Sequence, residues 1–188
     1  MSTDVDFSFP HRFGCEVLDE LPGGDGPQRY FFPSGTPAGQ DGVIVQVRPE
    51  SAEPWIGMFA FGKFGKAGVS RALSMPDPEK LCVVARGAGF VVSASSSECW
   101  EGVRALPVID VRAIVVAGLV VFANHTEMLA YDAGGVRWRT KRLSWDGLKV
   151  VAVGDQTIVG EYWDIRDDAM RTFEVDLHTG AAHGGVET

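Results

Sequence analysis

Ile114-Val115-Val116-Ala117-Gly118-Leu119-Val120-Val121-Phe122 decides the fold. A β-branched run reaches a glycine and leaves as a second apolar run, which reads as two strands and a tight turn. The plan recurs. Cys82-Val83-Val84-Ala85 turns at Gly87-Ala88-Gly89 into Phe90-Val91-Val92, and Val150-Val151-Ala152-Val153 turns at Gly154-Asp155 into Thr157-Ile158-Val159. Gly87 to Gly118 is 31 residues and Gly118 to Gly154 is 36. Self-similarity at about 20–50 residues signals supersecondary units in series, and the unit here is a β-meander. The expected fold is therefore all-β.

In the middle repeat the strands are expected at 111–117, 119–125, 128–132 and 136–141. Leu119, Val121 and Ala123 fall on one face of the second strand, Val120 and Phe122 on the other. A strand apolar on both faces is covered on both sides, and it is expected to be the most buried part of the chain. The fourth strand alternates, with Arg137, Arg139 and Lys141 on one side and Val136, Trp138 and Thr140 on the other, as an outer strand with one wet face would. The last repeat follows suit at 150–153, 157–163, 172–177 and 181–184, with Trp138 and Trp163 both expected inward. Asp132 before Gly135, and Asp176 before Gly180, mark the turn between third and fourth strands. Seven of the ten prolines fall in residues 1–54. That segment reads as an irregular arm with short strands at 15–18, 30–32 and 43–47, strapped across the sheets so that Tyr30-Phe31-Phe32 is buried. Residues 1–188 then form a single domain, the arm over 1–54 and the repeats over 55–188.

Met128-Leu129-Ala130-Tyr131-Asp132 followed by Gly134-Gly135-Val136-Arg137-Trp138 resembles the repeat of propellers of the pyrroloquinoline-quinone class. Phe173-Glu174-Val175-Asp176-Leu177-His178-Thr179-Gly180 is similar, without the tryptophan. The resemblance implies repeated four-stranded antiparallel meanders in a truncated or open β-propeller-like arrangement. It carries no cofactor over, because three or four blades are half of what a quinone-holding propeller needs. A longer set of motifs also resembles a group of small uncharacterised bacterial proteins. It runs from Trp55-Ile56-Gly57 and Phe59-Ala60-Phe61-Gly62 through Leu143-Ser144-Trp145-Asp146-Gly147 to Val175-Asp176-Leu177. That resemblance implies a bacterial source and no activity.

A net charge of -8 argues against nucleic acid as a partner. The longest apolar stretch, 113–123, is short of the about 20 residues that span a membrane. The acidic start Met1-Ser2-Thr3-Asp4 lacks a secretory signal, and three cysteines (Cys15, Cys82 and Cys99) are too scattered for a disulfide framework or zinc, so a cytoplasmic setting is expected. No cofactor and no metal are expected. Gly62-Lys63-Phe64-Gly65-Lys66-Ala67-Gly68 fails the phosphate-loop spacing and reads as a hairpin turn.

Two functions remain. The first is a non-catalytic protein-binding module, such as a neutralising or immunity-type partner of another bacterial protein. Arg137, Arg139, Lys141, Arg142 and Lys149 within 136–149 oppose a last segment, 155–188, with eight acidic side chains and two basic ones. Such segregation steers a charged partner. Arg137, Arg139 and Lys141 form the expected contact patch, with Trp145, in the polar linker, as its apolar anchor. The second is a hydrolase or metal-dependent enzyme built from His125, Glu127 and the acidic cluster Asp164, Asp167 and Asp168, which requires those groups to converge.

Overall fold

The computed structural model describes residues 3–24, 26–37, 39–64, 68–166 and 168–186. In chain order the strands are β1 (Asp4–Asp6), β2 (Phe13–Leu18), β3 (Gln28–Phe32), β4 (Gly42–Pro49), β5 (Trp55–Ala60), β6 (Arg71–Ser74), β7 (Lys80–Ala85), β8 (Ala88–Ser93), β9 (Trp100–Gly102), β10 (Asp110–Ile114), β11 (Leu119–Ala123), β12 (Met128–Asp132), β13 (Gly135–Arg139), β14 (Lys149–Val153), β15 (Thr157–Asp164), β16 (Ala169–Asp176) and β17 (Ala182–Gly184). They form four sheets, ordered β2-β4-β5-β3, β1-β6-β7-β8-β9, β10-β11-β12-β13 and β14-β15-β16-β17. The last two are antiparallel meanders, and so is the second apart from β1, which adds in parallel to β6.

The sheets pack face to face in series because period 2 sends alternate residues to opposite sides. Ala72, Leu81, Val83 and Val92 of the second sheet join Val45, Trp55 and Phe59 of the first. Its Leu73, Cys82, Val84 and Val91 join Val120, Phe122, Leu129 and Tyr131 of the third. Leu119, Val121, Met128 and Trp138 of the third join Ile158, Tyr162, Phe173 and Val175 of the fourth. Among the described residues no apolar cluster joins the fourth sheet back to the first, so the propeller-like series is open.

Its two ends differ. In the first sheet β2 and β3 run parallel at opposite edges, so their connection must cross a face. It crosses the outer one, where Arg29 Nη2 donates to the carbonyls of Pro22, at 2.6 Å, and Gly24. Ile56 and Met58 point away from the second sheet yet are buried, on the face that this connection crosses. The proline-rich segment, expected as a strap, instead supplies β2, β3 and β4 of this sheet, and only the connection between β2 and β3 crosses a face. β5 pairs with β3 and β4, so the boundary drawn at residue 54 runs through that sheet. On the outer face of the fourth sheet Trp163 and Met170, paired across β15 and β16, are 41% and 52% exposed.

Three sequence expectations are corrected. Val115 and Val116 are not strand but a 3₁₀ turn closed by Gly118, whose φ of 64° suits glycine, and Val116 is 86% exposed. The valine pattern alone does not separate a strand end from a turn. The three glycines are also not equivalent. Gly118 and Gly154 follow first strands, whereas Gly87 joins β7 and β8, the second and third strands of the β6–β9 meander. Finally, β11 is buried at every position, but Leu81 to Ala85 on β7 are fully buried, since β7 also has a sheet on either side.

Candidate functional site

Strand direction divides the connections between two rims. β5, β7, β11 and β15 all end at the same rim, where Gly62 N donates to Ala85 O, Ile109 N to Ala123 O and Leu148 N to His125 O. That rim receives Lys63, Arg86, Arg104, Lys141, Arg142 and Arg166, with Asp19, Glu20, Asp41, Glu127, Asp146 and Asp168. The opposite rim receives Glu50, Glu53, Asp77, Glu79, Glu98 and Asp155, with Arg12. On a chain of net charge -8 the described residues therefore place six of their seven loop cations on one rim, the cationic rim, where they balance its carboxylates, opposite a strongly acidic one.

The linker from β13 to β14 forms part of the cationic rim. Thr140 is buried, its amide donating to Met128 O while its hydroxyl accepts from Met128 N. The chain then turns, and Leu143 N and Ser144 N both donate to Thr126 O. Leu143 is driven into the core between the third and fourth sheets, and its carbonyl accepts from Val186 N. Trp145 is left 48% exposed with the Arg142 guanidinium 5.1 Å from its ring centre.

This separates the three basic residues expected on one face and the tryptophan expected beside them. Arg137 lies 3.9 Å from Asp132 Oδ2 and lines a cleft of about 550 Å³ with Asp155, Asp176 and His178 at the acidic rim. Arg139 lies 3.7 Å from Glu127 Oε1 and donates to the Arg104 carbonyl. Lys141 is beyond the end of β13, exposed on the cationic rim with Trp145. The alternation expected along β13 is broken by a bulge at Arg137: Val136 pairs with Tyr131 and Arg139 with Leu129 on the side of the second sheet, whereas Arg137 faces the cleft toward the fourth, and a carboxylate already faces each arginine. Asp132 and Asp176 cap their turns as expected. Asp132 Oδ1 accepts from Gly134 N, and Asp176 Oδ1 accepts from Thr179 Oγ1, Thr179 N and His178 N. The Thr179 hydroxyl and amide hold the Asp176 carboxyl below the usual carboxylate range.

The groups of the enzymatic reading have partners of their own. His125 Nδ1 is 3.6 Å from Asp146 Oδ1, while Glu127 faces Arg139. Asp164 is 2% exposed and accepts from Arg166 N at 3.0 Å, with the Arg166 and Arg171 guanidinium groups 3.4 Å away. The Arg166 amide, then its side chain, hold the Asp164 carboxyl low. Asp167 lies outside the described residues. Among the described residues no three His, Cys, Asp or Glu side chains group as metal ligands would, and no helix is long and apolar enough to cross a membrane.

Trp163 was expected inward and is exposed, because Ile158, Gly160 and Tyr162 take the inner positions of β15. The Tyr162 hydroxyl donates to Gly185 O, one residue before the Val186 amide that meets Leu143. Trp163 and Ile165 thereby end up at the rim that carries Trp145. The signal was the 158/160/162 alternation, outweighed by tryptophan's size.

No family model and no curated protein matches the chain. Among solved structures it is similar to the N-terminal domain of Nup159, at 13% identity and a TM-score of 0.44, covering 100% of this chain and 54% of that one. It is also similar to a chain in the S. cerevisiae dbp5 complex with nup159, gle1, IP6 and ADP, at 11% identity and a TM-score of 0.39, covering 92% of this chain and 50% of that one. The chain spans about half the length of the chains it matches.

Proposed function

We propose that the chain is a non-catalytic protein-binding module whose cationic rim meets an acidic partner, as a neutralising partner of another protein would. The observation that carries this reading is the sorting of charge between the rims, with an exposed tryptophan on the cationic one. Lys141 and Arg142 speed encounter through long-range attraction, and Trp145 supplies the apolar contact that outlasts it. Arg137 and Arg139, matched by Asp132 and Glu127, contribute less.

Reversal of charge on either rim tests the reading. Lys141→Glu with Arg142→Glu should abolish capture of the partner that wild type retains, with thermal stability held within about 0.5 kcal/mol as for other surface changes. Glu53→Lys with Glu98→Lys on the opposite rim should leave capture intact. Equal capture by both doubles refutes a role for the cationic rim.

A further inference from the structure

We infer that a groove at the cationic rim between the first and second sheets binds an amphiphilic organic anion: a small apolar body ending in one carboxylate. The groove measures about 530 Å³, and its walls include Pro33, Phe61, Phe64, Phe90 and Leu106, with Lys63 as the charged residue among them. Concave sites of about 300–1,000 Å³ that are mostly apolar with a few placed polar groups suit small ligands rather than flat protein surfaces.

The walls are held in place by backbone. Gly62 N donates to Ala85 O, Gly87 N to Val69 O, and Val108 N to Gly87 O. The Phe64 ring rests on the two glycines. A Cβ at Gly62 would come within 2.6 Å of both that ring and the Arg86 carbonyl, and one at Gly87, where φ is 83°, within 3.4 Å of the ring. Removing two side chains to seat one phenyl group makes an apolar wall, yet Phe64 stays 38% exposed and Leu106 51% exposed. Both side chains line the groove.

Charge selects the ligand's end. The Arg86 guanidinium stacks on the Phe61 ring 4.1 Å from its centre, beside the groove, and Lys63 stands on its wall. Among the described residues neither cation has a carboxylate within ion-pair distance. An apolar body therefore meets Phe64, Phe90 and Leu106, while its carboxylate meets Lys63 and Arg86, a complementarity that a neutral or cationic amphiphile lacks.

The probes are decanoate and 1-decanol, each titrated against the full chain and followed by backbone amide NMR. Decanoate should shift the amides of 61–64 and 86–90 and bind at least about tenfold tighter than decanol, the minimum expected from one charge-assisted contact. Lys63→Glu with Arg86→Glu should erase that preference and leave decanol binding unchanged, whereas Leu106→Glu should weaken both ligands. Near-ultraviolet circular dichroism of each variant checks the fold, and Lys63→Gln alone serves if the double does not fold. Equal affinity for decanoate and decanol overturns the proposal, and so do shifts confined to amides elsewhere.

Discussion

Phe122→Ala and Val116→Ser sit six residues apart in one valine-rich run, and the fold assigns them opposite consequences. Phe122 is fully buried on β11, packed toward the second sheet, with the Tyr131 ring 5.6 Å away in an edge-to-face arrangement. Truncation to alanine loses the transfer of the ring and leaves a cavity, about 3–5 kcal/mol. Losing the ring pair places the value toward the top of that range. For a chain of this length that corresponds to a fall in Tm of roughly 6–20 °C. Val116 is 86% exposed in the 3₁₀ turn, and its change should stay within about 0.5 kcal/mol. Urea unfolding followed by tryptophan fluorescence measures both, with an unchanged slope required so that the midpoints compare stability. A loss at Val116 comparable to that at Phe122 would mean that 111–117 is a continuous buried strand. It would refute the turn and, with it, the register of the third sheet.

Ser144 is fully buried and its Oγ has no hydrogen-bond partner among the described groups, so Ser144→Ala should leave stability equal or raise it by about 1 kcal/mol, and a clear loss in thermal denaturation would contradict that reading. Burial pushes the Cys15 thiol up to about 12 and the Cys82 thiol higher still, while Cys99 is exposed; iodoacetamide at pH 8 with mass spectrometry should label Cys99 first and leave Cys82 unlabelled until the chain unfolds. The Asp164 carboxyl is held low in the folded state, so its contribution is complete above the unfolded value of about 3.9 and is lost as pH falls through the lower folded value. Asp164→Asn should therefore be less stable than wild type at pH 7, with the gap closing toward pH 2, and a gap independent of pH would show that the ion pairs with Arg166 and Arg171 do not carry it.

The repeats were legible because their strands obey period 2 under two-sided burial. Met128–Asp132 and its Asp132 turn cap occupy the expected residues, and 157–163 differs from β15 only at its end. Local pattern misleads where tertiary position decides. Val115 and Val116 look like the valines of β11, but the turn to Gly118 carries them out of the sheet. Trp163 looks like Trp138, yet only Trp138 lies on the side that meets the next sheet, where its Nε1 donates to Leu177 O at 2.8 Å. The basic patch was legible as composition and not as geometry. Arg137 and Arg139 meet Asp132 and Glu127 only once the third sheet forms, while Lys63, Arg86 and Arg104 reach the rim of Lys141 through strand directions that no local motif reveals. The groove was invisible for the same reason. Phe64 falls in what reads as a plain hairpin turn, and Leu106 comes from a linker more than forty residues away.

The association rate of the captured partner at two ionic strengths tests the cationic rim most directly. Steered encounter falls as salt rises, because screening shortens the reach of Lys141 and Arg142. Stopped-flow mixing of wild type with that partner should show the rate constant dropping about tenfold or more between 0.01 and 0.5 M salt. The Lys141→Glu with Arg142→Glu variant should start lower and change little or rise. A rate that ignores salt in wild type, or the same salt dependence in the double variant, would contradict binding through this rim.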